Sequence, residues 1–174
     1  MSAIEPLVST DWLAAELAAG ATDLRLFDCT VFLRRPPEGT DTAGGPYVVE
    51  SGLGSWAEGH IPGSGFIDLV AELSDPDSSL RFMALPPERL AAAFAARGIG
   101  AGTRVVLYDR AVNMWATRVW WLLRSIGFGD AAVLDGGLRA WKADGRELST
   151  GPAPEHPAAA LAPRPRPEAI VGRS

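Results

Sequence analysis

Residues 104–141, RVVLYDRAVNMWATRVWWLLRSIGFGDAAVLDGGLRAW, hold the pattern that decides the fold of this chain of 174 residues. The continuous apolar run at 105–108 predicts a buried strand, and Asp109 follows it directly. A loop and an apolar helix over about 114–126 come next, and a second apolar run at 131–134 predicts another buried strand. The tip of such a strand is where an α/β sheet usually places its chemistry. The side chain at this tip is a carboxylate.

Outward from this stretch, strands and helices continue to alternate. The further predicted elements are a helix capped by Ser9 or Thr10 and ended by Gly20, a strand over 24–28, a strand over 65–69, a helix opened by Pro86 and Pro87 and ended by Gly98, and a last helix through Trp141. This alternation predicts an α/β fold with a central, mostly parallel sheet and helices on both faces. The Gly- and Pro-rich stretch 34–55 is interpreted as a surface excursion with a short hairpin around residues 47–49.

The composition changes after Thr150, so we predict one domain over 1–150 and a linker-like tail over 151–174. Six prolines deny regular structure to the tail: Pro152, Pro154, Pro157, Pro163, Pro165 and Pro167. His156 lies among them and is expected to be exposed. Such a tail is typical of an interdomain linker or a docking arm.

Composition argues against several classes of protein. The 16 Lys and Arg residues are scattered and the net charge is −5, so no nucleic-acid partner is indicated. The sequence has no apolar run near the ~20 residues that cross a bilayer and no signal-peptide pattern at its start, which predicts a cytoplasmic protein with no membrane partner. One Cys and two distant His give no metal-ligand spacing, and no G-x-G-x-x-G follows a strand, so neither a metal nor a cofactor is predicted.

Asp109 has two interpretations. The backbone N–H groups that open the following helix point toward the strand tip, and the helix dipole adds positive potential there. A carboxylate in this place can act purely as a cap that satisfies loop amides. The rival is an aspartyl nucleophile of the phosphoryl-transfer kind, which usually has a second acid two residues on, where this chain has Ala111. The spacing therefore favours the structural role.

His60 and Cys29 are the other candidates for chemistry. His60 precedes the tight turn Pro62-Gly63 and could present its imidazole to a cleft, although a lone His beside a turn is more often a structural hydrogen-bonding group. Cys29 follows the strand over 24–28 and would be a nucleophile if a cation or a helix N-terminus lowered its pKa. No Gly-rich loop of amides follows it, so a buried structural role is the expectation.

Arg110 and Arg118 flank the loop after Asp109. Either could bind an anion, and either could equally pair with Asp109 or Asp135. Both options stay open from the sequence.

Six segments together resemble the rhodanese family of sulfurtransferases, in particular the amino-terminal half of its tandem-domain thiosulfate and 3-mercaptopyruvate sulfurtransferases. They are LVSTDWLAAEL (7–17), LRLFDCTVFL (24–33), GHIPGSGFIDL (59–69), VVLYDR (105–110), RVWWLLRSIGF (118–128) and AAVLDGGLRAW (131–141). The resemblance implies that an active domain carries Cys at the strand tip, wrapped by a short loop of backbone amides. It also implies that the thiolate takes a sulfane sulfur from thiosulfate or mercaptopyruvate and passes it, as a persulfide, to cyanide or a thiol.

The same resemblance implies that this chain is the inert half. In tandem members the second half carries the Cys, and the first half usually carries Asp in a longer loop. Asp109 occupies the catalytic Cys position, and Arg118 lies nine residues further on, not five as in the short C-x-x-x-x-R loop. His60 matches the His that faces the cleft between halves. A non-catalytic, structural or regulatory half would pack on a catalytic rhodanese domain or self-associate, with Met114 and Trp115 as candidate anchors.

Two other functions stay open. A working thiosulfate or 3-mercaptopyruvate sulfurtransferase would act through Cys29 or as a fragment of a longer enzyme. A partner- or ion-binding module would use the Asp109 loop to hold a cation or a basic partner. For the packing half, the tail from Pro152 is expected to cross the docking face around His60 and the Asp109 loop.

Overall fold

The computed structural model describes residues 4–40 and 46–169, and seven strands and six helices lie within them. The strands are β1 (Leu7–Val8), β2 (Leu24–Asp28), β3 (Val31–Arg34), β4 (Val48–Ser51), β5 (Ser64–Phe66), β6 (Arg104–Tyr108) and β7 (Ala131–Leu134). The helices are α1 (Thr10–Ala18), α2 (Leu53–Glu58), α3 (Leu69–Leu73), α4 (Pro87–Ala96), α5 (Met114–Ser125) and α6 (Gly137–Ala143). A short 3₁₀ turn occupies Pro167–Ala169.

Five of the strands form one parallel sheet in the order β1-β7-β6-β2-β5. One face is covered by α1 and α6, and the other by α3, α4 and α5. The helix residues buried in these layers include Leu13, Leu138 and Trp141 on the first face, and Leu69, Leu90, Phe94, Val119 and Leu122 on the second. This arrangement confirms the predicted α/β fold with a mostly parallel central sheet. It also places β6 in the middle of the sheet, so its tip is surrounded by neighbouring elements.

The predicted bounds hold for the elements nearest that tip. The strands predicted over 24–28 and 131–134 are β2 and β7, and β6 begins one residue before the predicted run. Ser9, not Thr10, is the cap of α1, because its hydroxyl accepts the N–H of Trp12 at 3.1 Å. Apolar runs flanked by turn residues were therefore sufficient to locate these three strands, while β1 was not predicted from the sequence.

The strand predicted over 65–69 is wrong in its extent. β5 has only three residues, and α3 begins inside the predicted strand. The Asp68 carboxylate accepts the N–H groups of Val70 and Ala71 at 3.1 and 3.0 Å. This side chain therefore caps a helix where the apolar pattern indicated an extended chain.

The excursion at 34–55 is built differently from the predicted hairpin around 47–49. β3 and β4 form an antiparallel ribbon that pairs Val31 with Ser51 and Arg34 with Val48. The two strands lie at the ends of the excursion, and α2 follows the second of them. Residues 41–45, within the connection, lie outside the described residues.

The tail has no helix or strand over 152–166, as its prolines predict. It is nevertheless packed against the domain, where it touches Gly98 and Gly127 in the loops that precede β6 and β7. These loops lie at the amino end of the sheet, opposite Asp109, so the expectation that the tail crosses the Asp109 face is wrong. His156 is half-buried rather than exposed, because it lies against Gly98.

Candidate functional site

The carboxyl ends of β2 and β6 form the edge of the sheet where the candidate residues gather. The two strands are parallel neighbours, and Asp28 is the register partner of Tyr108. The N–H of Cys29 donates to the Tyr108 carbonyl at 2.8 Å. Cys29 and Asp109, each directly after its strand, therefore lie at adjacent strand tips.

The Asp109 carboxylate is buried and is held by four backbone amides. Oδ1 accepts the N–H groups of Ala111 and Asn113 at 2.9 and 3.0 Å. Oδ2 accepts those of Trp115 and Ala116 at 2.9 and 3.2 Å. Two of the donors belong to the loop and two to the first turn of α5, whose opening N–H groups have no partner inside the helix. The side chain thus has the geometry of the cap predicted for it. Its two oxygens occupy the centre of a ring of four amides, those of Ala111, Asn113, Trp115 and Ala116.

The loop is shaped by an unusual backbone and a close approach from α6. Asn113 adopts the left-handed region with φ 61°, and its Nδ2 donates to the Leu134 carbonyl at 3.0 Å. Gly137 has φ 57°, and a Cβ on it would stand 2.4 Å from the Asp109 carbonyl oxygen. The N–H of Leu138 donates to that same oxygen at 3.0 Å. The absence of a Cβ at Gly137 therefore lets the start of α6 pack directly against the backbone at the end of β6.

Arg110 is part of a buried network with β2. Its Nε donates to Asp28 Oδ2 at 3.1 Å, and its NH2 group donates to the Gly59 carbonyl. Its backbone N–H donates to the Thr30 hydroxyl at 3.1 Å, and Thr30 in turn donates to Asp28. Burial raises the pKa of Asp28, while the Thr30 and Arg110 hydrogen bonds act in the opposite direction. This network ties together the loops that follow β2, α2 and β6.

Of the two options that the sequence left open for Arg110 and Arg118, the structure shows no pairing of either with Asp109 or Asp135. Arg110 is drawn to the neighbouring strand, as described above. Arg118 lies in the second turn of α5 and donates to the Phe82 carbonyl at 2.8 Å. Burial lowers its pKa. The two guanidinium groups are thus directed away from the Asp109 carboxylate.

His60 does not face a cleft in this chain, contrary to the expectation from the resemblance. Its ring is buried and is stacked on Trp56, with the ring centroids 4.2 Å apart and nearly parallel. Nδ1 lies 2.9 Å from the Trp56 carbonyl oxygen. The backbone of His60 also pairs with Ser149 in both directions. These contacts give it the structural role that a lone His beside a turn more often has.

Cys29 is a core residue rather than an activated thiol. Its side chain has 0% exposure and packs with Phe27, Ile67 and Leu107 on the α4–α5 face of the sheet. Burial raises the pKa of the Cys29 thiol well above its usual value, and the nearby Asp28 carboxylate raises it further. Its sulfur lies 3.9 Å from the Phe27 carbonyl oxygen, which is an acceptor and does not stabilise a thiolate.

The two proposed anchors at the start of α5 differ sharply in exposure. Met114 is 48% exposed and Val112, in the loop, is 74% exposed. Trp115 is only 7% exposed and packs its ring 5.1 Å from that of Phe82. Trp115 lies about 100° around the helix from Met114, which turns its ring toward the core and leaves Met114 at the surface. Trp115 as a surface anchor is therefore wrong.

The sequence reasoning missed the polar role of Tyr108, which it assigned only to the strand. The buried Tyr108 hydroxyl accepts the Ile61 N–H at 3.2 Å and lies 2.8 Å from the Ser64 hydroxyl. Burial raises the pKa of Tyr108. A Tyr at the end of a buried run is itself the signal, because a buried phenol needs a hydrogen-bond partner.

Across residues 4–40 and 46–169, no group of three or more His, Cys, Asp or Glu side chains is arranged to hold a metal ion. Within the same described part of the chain, every helix is too short or too polar to cross a membrane.

Comparison with known proteins gives one consistent family. Residues 9–144 match the family described as Rhodanese-like domain. Human 3-mercaptopyruvate sulfurtransferase is 37% identical over 157 residues, which are 87% of this chain and 48% of that protein. A probable 3-mercaptopyruvate sulfurtransferase of Pseudomonas aeruginosa is 36% identical over 149 residues, covering 83% of this chain and 47% of that protein.

A solved structure of an Escherichia coli 3-mercaptopyruvate sulfotransferase superposes with a TM-score of 0.75 at 30% identity, covering 97% of this chain and 58% of that one. The chain spans about half the length of the curated relatives it matches. It belongs to the family of rhodanese-like domains.

Proposed function

We propose that this rhodanese-like domain is non-catalytic by itself and serves as the structural half of a sulfurtransferase. The observation that carries the proposal is the Asp109 carboxylate, which stands where the resemblance puts the sulfur-carrying Cys and accepts four backbone N–H groups, two from the loop and two from the first turn of α5. A carboxylate oxygen is a poor acceptor of sulfane sulfur and cannot hold a persulfide. The site therefore lacks the atom that the reaction needs.

Because Asp109 occupies the ring of amides, the ring also disfavours the binding of a sulfur donor such as thiosulfate. A second anion in the same place would be repelled by the carboxylate and would find no free N–H group in the ring. Arg110 adds no compensating charge, because its guanidinium is bonded to Asp28 and Gly59.

Catalysis through Cys29 is the principal alternative, and the surroundings of Cys29 argue against it. The thiol is buried and its pKa is raised, whereas a nucleophilic Cys needs access and a lowered pKa. An ion-binding role has no support either, since both oxygens of Asp109 already accept two hydrogen bonds each.

The partner we propose is a catalytic rhodanese domain, supported by the half-length match to sulfurtransferases. The docking surface would lie around the Asp109 loop, where Val112 and Met114 are exposed. Apolar side chains at a loop tip beside a buried site are common at such interfaces. Self-association through the same surface is the other outcome.

The activity test is thiocyanate formation from cyanide with thiosulfate or 3-mercaptopyruvate as donor. The purified chain is expected to give no rate above buffer, and Cys29→Ser is the matched control because Cys29 is the sole Cys. A clear rate that Cys29→Ser abolishes would overturn the proposal and move the active site to Cys29.

The partner test is light scattering over a concentration series, with and without a catalytic rhodanese domain added in trans. We expect a complex that Val112→Ser and Met114→Ser weaken. A monomer at all concentrations that binds no catalytic domain would refute the packing role while leaving the activity result untouched.

A further inference from the structure

The amino end of the sheet carries a groove that is shaped by three glycines. Gly98 and Gly100 lie between α4 and β6, and Gly127 lies between α5 and β7. A Cβ on Gly98 would stand 2.6 Å from the Cβ of His156, and one on Gly127 would stand 2.7 Å from the Arg164 carbonyl oxygen. Any larger residue at these positions would overlap the tail.

Of the three glycines, Gly100 gives the clearest evidence that the tail determines the residue type. A Cβ on it would stand 2.6 Å from the carbonyl oxygen of Ala160 and 2.7 Å from the Cβ of Ala159. Its φ does not lie in the left-handed region, unlike those of Gly98 and Gly127. The absence of a side chain at Gly100 is therefore explained by the tail rather than by backbone strain.

The tail also supplies backbone donors to the carboxyl ends of two helices. The N–H of Ala159 donates to the Ala95 carbonyl in the last turn of α4 at 2.9 Å. The N–H groups of Arg164 and Arg166 donate to carbonyls at the end of α5, those of Ile126 and Ser125, at 2.7 and 2.9 Å. The Ala95 carbonyl also accepts the Gly98 N–H at 3.0 Å, whereas the carbonyls at the end of α5 have no partner inside their own helix. The groove therefore presents acceptors that an extended peptide satisfies. Leu161 adds an apolar contact with the core.

We propose that this groove is a binding site for an extended, proline-rich peptide, and that residues 153–166 of the same chain occupy it in cis. Prolines hold a peptide near the extended conformation before it binds, which lowers the entropy cost of docking. No donating position in the segment is a proline: Pro163 and Pro165 alternate with Arg164 and Arg166, and Pro154 and Pro157 precede Ala159. This site is independent of the function proposed for Asp109.

The first test is amide hydrogen exchange of Ala159, Arg164 and Arg166 in the unaltered chain of 174 residues. We expect these amides to be protected at least about tenfold relative to an unstructured chain, because each donates to a helix-end carbonyl. Gly100→Ala should remove that protection and leave β6 protected. Gly129→Ala is the matched control, since Gly129 lies in the same groove and a Cβ on it would meet nothing within 4 Å. Unprotected tail amides in the unaltered chain, or equal effects of the two substitutions, would overturn the proposal.

The second test asks whether the groove accepts the peptide in trans. Ala159→Pro removes one donor, and combined with Leu161→Asp it should release the tail while the groove stays intact. A fluorescent synthetic peptide of residues 152–168 is expected to bind this variant saturably and to bind the unaltered chain much more weakly, because the tethered tail competes at a high effective concentration. Failure to bind the tail-released variant, with exchange showing its sheet intact, would contradict the proposal.

Discussion

The tips of β2 and β6 lie side by side, yet each has half of what sulfur transfer requires. The tip of β2 has the chain's single thiol, Cys29, which is buried in the core with a raised pKa. The tip of β6 has a ring of four amides that suits an anion, but Asp109 occupies it. A thiolate nucleophile needs both sulfur and stabilising donors in one place, and this chain has them at the tips of two neighbouring strands.

Under the proposed non-catalytic role, this fold keeps the architecture of a reactive site without its chemistry. The amides around Asp109 all point at one anionic group, because the carboxylate accepts their hydrogen bonds as a thiolate would. The space around Cys29 is filled by apolar side chains, so its thiol behaves as a small hydrophobic group. Under that proposal, the placement of one sulfur atom, and not the fold around it, makes the difference between a reactive and an inert domain.

The largest expected difference concerns the reactivity of Cys29 toward a thiol reagent. Native labelling requires the core to open, and a domain stable by at least ~5 kcal/mol opens less than about one time in a thousand. The raised pKa also keeps the native thiol protonated at neutral pH. We expect labelling near pH 8 to be at least about 1,000-fold slower in buffer than in denaturant. Comparable rates in the two conditions would mean that the β2 tip is open.

Removing Asp28 should cost the most stability of the single changes at these tips. Asp28→Ala leaves the Arg110 guanidinium, which is only 17% exposed, without its carboxylate. Breaking a buried ion pair in this way typically costs about 3–5 kcal/mol. Urea unfolding measures the loss, and Asp28→Ala combined with Arg110→Met should recover much of it. A single variant as stable as the parent would show that the network does not hold the loops together.

A thiol placed in the amide ring should restore little activity on its own. The sulfur of Asp109→Cys would lie nearer the backbone than the carboxylate oxygens do, and a misplacement of about 1 Å can cost about 100-fold in rate. Replacing residues 109–118 with a six-residue C-x-x-x-x-R loop should therefore give more thiocyanate than the single change. Equal rates from both variants would show that loop geometry is not the obstacle.

The smallest of these effects is expected for the stability of Asp109→Ala. The substitution leaves four N–H groups without their acceptor, but those at the exposed loop can bond to water. A loss of about 1–3 kcal/mol is expected, since unsatisfied buried donors cost about that much. The stability of Asp109→Asn should lie between those of the unaltered chain and Asp109→Ala, because the Asn side chain keeps one acceptor oxygen. Destabilisation greater than that of Asp28→Ala in urea unfolding would reverse the ranking.

Local patterns predicted most of the sheet because a buried strand is recognisable in a sequence as a short apolar run. The runs at 24–28 and 131–134 gave their strands without correction, and the placement of Asp109 directly after such a run located the site. The cap at Asp68 was missed because an Asp beside a short apolar stretch, as in GFIDL (65–69), is compatible with both a strand end and a helix start. Resemblance, rather than pattern, supplied the expected chemistry.

Contacts between distant segments were beyond reach of the sequence. Arg110 pairs with Asp28 because β2 and β6 are neighbours in the sheet. The sequence does not give the order of the strands, so it left the partner of Arg110 open. The burial of Trp115 depends on the packing of Phe82 against it. The course of the tail depends on helix-end carbonyls and on glycines that lie 50 or more residues before some of their partners, for example Gly100 and Ala160.

The measurement that tests the central claim most directly is a thiosulfate titration followed by the amide NMR signals of the ring around Asp109. Those signals belong to Ala111, Asn113, Trp115 and Ala116. The account predicts no saturable shift of the four in the unaltered chain, because the carboxylate already occupies the ring, and saturable shifts once Asp109→Ala has emptied it. Saturable shifts of the same four amides in the unaltered chain would show that a sulfur donor enters beside Asp109, and would contradict the account.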